Sequence, residues 1–170
     1  MTRLSPELRL AADVLRGLWQ DLFLDAFAYR PLPPLRGDGP LIGGLPHRVR
    51  RYAARTPHAV VVAAGVVAMS VLWSTRDGGT QAVVAGLLVL APVLLTLARP
   101  VGAFWLSLVA APVATWLLDT PWSDWPWPPG AAVSHLTVLT VVALRTRPRT
   151  AWWMWLLTAV YSLSTDPFSA

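Results

Sequence analysis

The chain has 170 residues, 55% hydrophobic and 14% charged, with a mean hydropathy of +0.50 and a net charge of +5. That balance lies outside the range of an ordinary water-soluble domain, and the lack of cysteine excludes disulfides and thiolate metal sites. All fourteen basic residues are arginine and nine fall within residues 1–56, mostly beside apolar blocks; this favours a role in orienting membrane helices and argues against nucleic acid as a partner.

In chain order, residues 5–28 read as an amphipathic helix. Ser5 suits the N-cap, Pro6 the first helical position, and Glu7 the positive end of the helix dipole. Leu8, Ala11, Leu15, Leu18, Leu22 and Ala26 recur at helical spacing, and Trp19, Phe23 and Phe27 widen that face. The polar face carries Glu7, Asp13, Asp21 and Asp25 against Arg9 and Arg16. A helix lying on anionic lipid is usually basic there, so docking against protein is the better expectation. Residues 1–29 thus form a cytoplasmic amphipathic unit. Residues 30–56 follow as a linker rich in Pro, Gly and Arg, in which Pro31, Pro33, Pro34, Pro40 and Pro46 oppose a helix. The strings Arg30-Pro31-Leu32-Pro33-Pro34-Leu35 and Arg36-Gly37-Asp38 imitate a polyproline ligand and an adhesion tripeptide. Both are short strings that such a linker produces by composition.

Residues 57–170 hold five apolar blocks, with spans expected near 57–75, 81–98, 101–118, 129–144 and 151–168. Backbone groups in lipid must be satisfied internally, so blocks of this length become helices. The expected fold is all-α: a polytopic membrane bundle of about five helices behind the amphipathic helix and linker. The fifth block weakens after Leu163 and either spans or re-enters. Arg48, Arg50, Arg51 and Arg55 stand before the first span, and Arg145, Arg147 and Arg149 lie between the fourth and fifth. The positive-inside rule then places the N-terminus in the cytoplasm of a plasma-membrane protein, with thirteen of the fourteen arginines on that side.

Two places are candidates for signal sensing. The loop from Asp119 to Pro129 carries Asp119, Trp122, Asp124, Trp125 and Trp127; its tryptophans suit an interfacial belt, or an outward site for an apolar or cationic ligand. His135 lies just inside the outer end of the fourth span, near Ser134, Thr137 and Thr140, where it either packs against a neighbouring helix or responds to external pH. Ala103, Ser107, Ala111 and Thr115 form a small-residue stripe suited to close helix packing, and Pro92 and Pro112 are expected to kink their spans. No catalytic, cofactor-binding or metal residues stand out. Phosphate-loop, nucleophile-elbow and zinc-protease motifs are absent, and no carboxylate pair sits within a span.

The order of motifs carries a resemblance. Ala12-Asp13-Val14-Leu15-Arg16-Gly17-Leu18 and Asp21-Leu22-Phe23 lead to Pro31-Leu32-Pro33-Pro34-Leu35, then to Leu45-Pro46-His47-Arg48-Val49-Arg50-Arg51 and Arg55-Thr56-Pro57-His58. Leu90-Ala91-Pro92-Val93-Leu94-Leu95, Arg99-Pro100, the loop Trp122 to Pro129, and the turn Arg145 to Arg149 before Ala151-Trp152-Trp153 complete it. This resembles the N-terminal membrane region of actinobacterial (Streptomyces-type) sensor histidine kinases of the DesK group. The resemblance implies a membrane input region, truncated or separately encoded. It further implies a homodimer in the full-length kinase, ATP as the cofactor of the kinase domain, and a LuxR/NarL-type response regulator as that domain's partner. None of His47, His58 and His135 is followed by an acidic residue and no D-x-G-x-G string occurs, so the chain alone is expected to transfer no phosphate. Five crossings would leave Ala170 outside, so a cytoplasmic kinase needs a sixth crossing or a re-entrant fifth block. The alternatives are a standalone membrane protein acting as an interaction or scaffold partner and, less well supported, half of a transporter or membrane enzyme. Lipid is the immediate partner in every case.

Overall fold

A computed structural model describes residues 6–24, 28–35, 44, 46–74, 79–118 and 127–164. These are helical apart from short connections, with no strand among them. Helix α1, Pro6–Trp19, runs into a π-helical turn, Gln20–Leu24. Then come α2 His47–Ala53, α3 Thr56–Ser74, α4 Thr80–Leu95, α5 Pro100–Leu117, α6 Pro129–Arg145 and α7 Pro148–Ser164. Proline marks the starts: Pro6, Pro57, Pro100, Pro129 and Pro148 each sit at or next to a first helical position, where the missing N–H costs nothing. Pro92 and Pro112 lie within helices that run on through them.

The boundaries depart from the sequence reading in four places, one being that α4 ends at Leu95, with a turn at 96–98 where the span was expected to continue. The front helix ends at Trp19, and its last turn winds into the wider π form. The linker contains the short helix α2, anchored where the Leu35 N–H donates to the Ala54 carbonyl at 2.9 Å. The last helix begins at Pro148, three residues before its apolar block.

Helices α3, α4, α5 and α6 form a ring: each packs on the next, α6 closes on α3, and α4 meets α6 across the middle. Short connections make successive helices antiparallel. One end of the ring therefore gathers the start of α3, the α4–α5 turn and the end of α6. Hydrogen bonds confirm that meeting. The Arg30 N–H donates to the Ala98 carbonyl and the Leu32 N–H to the Leu97 carbonyl, each at 2.8 Å. The Arg145 guanidinium donates to the carbonyls of Thr96 and Arg30. At the opposite end the Trp73 indole N–H donates to the Ala82 carbonyl at 2.9 Å, joining α3 to α4.

The two ends are filled differently. Ala68, Ala85, Ala111, Ala114 and Ala131 build the core at the Trp73 end, where small residues let backbones approach. The small-residue stripe of α5 is buried along its length, from Ala103 to Thr115. Phe104, Val93, Val138, Val142 and Met154 fill the arginine end. Leu22 of the π-turn is fully buried among them. The Trp105 indole N–H donates to the Leu22 carbonyl at 2.8 Å, Phe23 packs on Trp105, and Asp21 lies 3.5 Å from Arg149. The front segment thus docks through its last turn, while Leu15 and Trp19 stay more than half exposed.

Helix α7 lies outside the ring, against α6 and the π-turn. Helices α3 and α5 are long and apolar enough to cross a membrane; α4 and α6 are apolar but shorter.

Gly130 marks a close approach of α6 to the backbone of α3. A Cβ there would sit 2.7 Å from the Ala68 carbonyl oxygen, a backbone atom that cannot swing away. Gly130→Leu should therefore destabilise the detergent-solubilised chain by about 2 kcal/mol, as overpacking does, and lower its melting temperature. Gly44→Leu, with no atom within 4 Å of the added Cβ, should leave it unchanged.

Candidate functional site

The site grows from the start of α6. Pro128 caps the helix and Pro129 opens it, fixing the backbone just after Trp127. The Trp127 ring turns back over the second turn and stacks on His135, with centroids 4.4 Å apart and planes at 30°. Tyr161 of α7 meets the edge of Trp127 at 5.5 Å, and Phe104 of α5 lies 5.8 Å from the His135 ring.

His135 is buried, and both ring nitrogens have partners. Nδ1 lies 2.8 Å from Ser107 Oγ on α5, and Nε2 lies 3.0 Å from Thr158 Oγ1 on α7. The Trp127 indole N–H donates to Ser162 Oγ at 2.8 Å. Thr158 and Ser162 stand four residues apart, on one face of α7, so a single helical face serves both rings. Next door, the Ser134 hydroxyl donates to the Val89 carbonyl of α4 at 2.7 Å. Two adjacent residues of α6 therefore tie it to α4, α5 and α7.

Proton counting limits what this cluster can do. A neutral imidazole has one N–H donor and one acceptor nitrogen, and a hydroxyl has one proton. Ser107 Oγ can also donate to the Phe104 carbonyl at 2.8 Å, and Thr158 Oγ1 to the Met154 carbonyl at 2.9 Å. With neutral His135, one hydroxyl gives its proton to the ring while the other receives from the ring and donates to its own helix. Either tautomer fits; exchanging them moves the ring proton from one nitrogen to the other and turns both hydroxyls. With an imidazolium, both hydroxyls receive and both donate backward.

Trp127 and His135, picked out separately in the sequence, are thus brought together. Asp119, Trp122, Asp124 and Trp125 lie outside the described residues. Thr137 and Thr140 bond to the Val133 and Leu136 carbonyls of their own helix and take no part. Sequence reading missed Thr158, Ser162 and Tyr161; the four-residue hydroxyl spacing was the available signal. Among the described residues no three His, Cys, Asp or Glu side chains converge to hold a metal. Arg48, Arg51, Arg55, Arg147 and Arg149 are exposed, at or beside the arginine end.

The chain matches no known protein family, and no curated protein or solved structure resembles it significantly. The likeness to sensor kinases therefore rests on the quoted sequence motifs.

Because Ser107 and Thr158 have carbonyls to fall back on, replacing the imidazole with an apolar ring-sized group strands no hydroxyl. His135→Leu should cost less than about 1.5 kcal/mol, whereas His135→Ala, which leaves a cavity, should cost about 3 kcal/mol. Thermal melts followed by tryptophan fluorescence would separate the two.

Proposed function

We propose that this chain is the membrane-embedded input region of a sensor histidine kinase, with α7 as the element that moves. The membrane placement draws on the outer surface of the ring. Val60, Val66 and Val67 of α3, Leu87 of α4, Val109 and Trp116 of α5, and Leu136 and Leu144 of α6 are all exposed, so the helices are apolar outside as well as inside. An apolar belt of this extent belongs to a lipid-facing or buried surface. In that placement α3 to α7 each cross the bilayer, and the arginine end lies in the cytoplasm.

One observation carries the sensor reading. The ring of α3 to α6 closes without α7, and α7 is held at its two ends by different devices. At the Trp73 end it rests on the His135–Thr158 and Trp127–Ser162 hydrogen bonds. At the arginine end it meets the front segment through Arg149 and Asp21. A change around Trp127 and His135 can therefore shift the outer part of α7 about Met154, its residue in the core, without parting α3 to α6, and the shift reaches a segment on the cytoplasmic side. The kinase itself, its ATP, its response regulator and its dimer belong to the same proposal through the resemblance.

A second reading, a standalone interaction protein, is supported by the exposed Leu15, Trp19 and Leu24 of the front segment, which a partner would cover.

Since the chain lacks cysteine, pairs of spin labels can be placed at will. A label pair at Val109 and Val160 spans α5 and α7; a pair at Val67 and Val109 spans the ring. Between thin and thick bilayers, and on Trp127→Phe, the α7 distance should shift while the ring distance holds. An α7 distance as constant as the ring's would leave α7 as static packing and favour the interaction protein.

A further inference from the structure

We infer that the groove between α3 and α6 is a binding site for an anionic phospholipid, whose acyl chain lies along Val60 and Leu136 and whose phosphate meets Arg145. The groove encloses about 580 Å³ and is lined by Pro57, Val60 and Ala64 on one wall and by Val133, Leu136 and Val141 on the other. At the arginine end it is closed by Leu32 and Leu35 of the linker, Thr56 and Arg145. Val60 and Leu136 are about 60% exposed, so the trough opens to the outside of the bundle.

The polar groups in the lining are few, and most are already used. Thr56, Thr137 and Thr140 each donate to a carbonyl three or four residues back, at 2.7–2.8 Å. Arg145 differs. A guanidinium has five N–H donors; Arg145 uses donors on the carbonyls of Thr96 and Arg30 and, among the described residues, meets no carboxylate. Among the described residues, a positive charge that meets no carboxylate therefore stands at one end of an otherwise apolar trough. From Val133 to Arg145 the α6 wall runs roughly 18 Å at the helical rise, enough for most of an acyl chain. The matching ligand is an amphiphile with an anionic head, and phosphate suits the planar donor fork of arginine. Arg55, at the same end, lies at the level where lipid headgroups sit in the proposed placement. A free anion would answer the charge but leave the apolar trough open.

The inference rests on the membrane placement and not on the sensor reading. The test is native mass spectrometry of the full chain extracted from vesicles of equimolar phosphatidylglycerol and phosphatidylcholine. The wild type should retain one phosphatidylglycerol with about tenfold preference, because both lipids offer a phosphate but the choline cation of phosphatidylcholine offsets its charge at Arg145. Arg145→Gln should abolish the preference. Val60→Trp, which fills the trough and keeps the arginine, should reduce retained lipid, so the result does not hang on one variant's folding. Arg147→Gln, which removes a charge at the same end but outside the groove, should change nothing. Equal retention of both lipids, an equal loss with Arg147→Gln, displacement by millimolar inorganic phosphate, or a lipid-free dimer would each overturn the assignment. Failure to enter vesicles at all would count against the membrane placement itself.

Discussion

Polar groups removed from water must find partners inside the bundle, and that constraint shapes most of what this chain does. The hydroxyls of Ser70, Thr96, Thr115, Thr137, Thr140 and Ser162 donate to carbonyls three or four residues back, and those of Ser107 and Thr158 have the same recourse. This back-bonding lets short polar side chains sit in apolar helices at little cost. The groups that cannot be satisfied locally are the long ones. The Trp73 and Trp105 indoles reach carbonyls in other elements, Arg145 reaches two loop carbonyls, and His135 reaches hydroxyls on two helices. These long reaches position the elements relative to one another, because apolar packing alone is nearly non-directional.

The same constraint separates a ring that packs by shape from a helix that packs by hydrogen bonds. Between α3, α4, α5 and α6 the alanine-rich core allows close contact, and Gly130 lets α6 approach the backbone of α3. Helix α7 contributes only Thr150 and Met154 to the buried residues. Its attachment joins Thr158, Ser162 and the Arg149–Asp21 pair to the packing of Met154, Trp153 and Leu157. Contacts of that kind exchange readily for others, and elements that move are drawn from the less firmly packed parts of a fold. That contrast underlies the proposal that α7 carries a signal.

How far the sequence exposed this depends on the element. That helices stand at the five blocks, α3 to α7, was readable from block length and proline punctuation, since both follow from backbone chemistry. Their ends were less so. Apolarity starts at Ala151, but Pro148 can open a helix whose first turn is polar. Helix α2 is polar and short, so no periodicity announced it. The front stripe was read as one regular face from Leu8 to Ala26. The π-turn breaks that register and delivers Leu22 to the core while Leu15 stays exposed, a change in winding that a residue count does not reveal. At the site, Trp127 and His135 stood out by residue type. Their stacking, and the hydroxyls of α7 that hold them, depended on which helices become neighbours, and one sequence does not encode that at fixed spacing.

In the proposed placement these features share one axis: arginines, linker and front segment at the cytoplasmic end, Trp127 and His135 toward the outer end, and α7 running between them. The most direct test is accessibility of single cysteines in a chain that has none of its own. Gly79→Cys precedes α4 and Arg147→Cys precedes α7, at opposite ends of the bundle. In intact cells a membrane-impermeant maleimide should label position 79 at once and position 147 only after lysis. Labelling of 147 in intact cells, or equal labelling of both, would contradict the account.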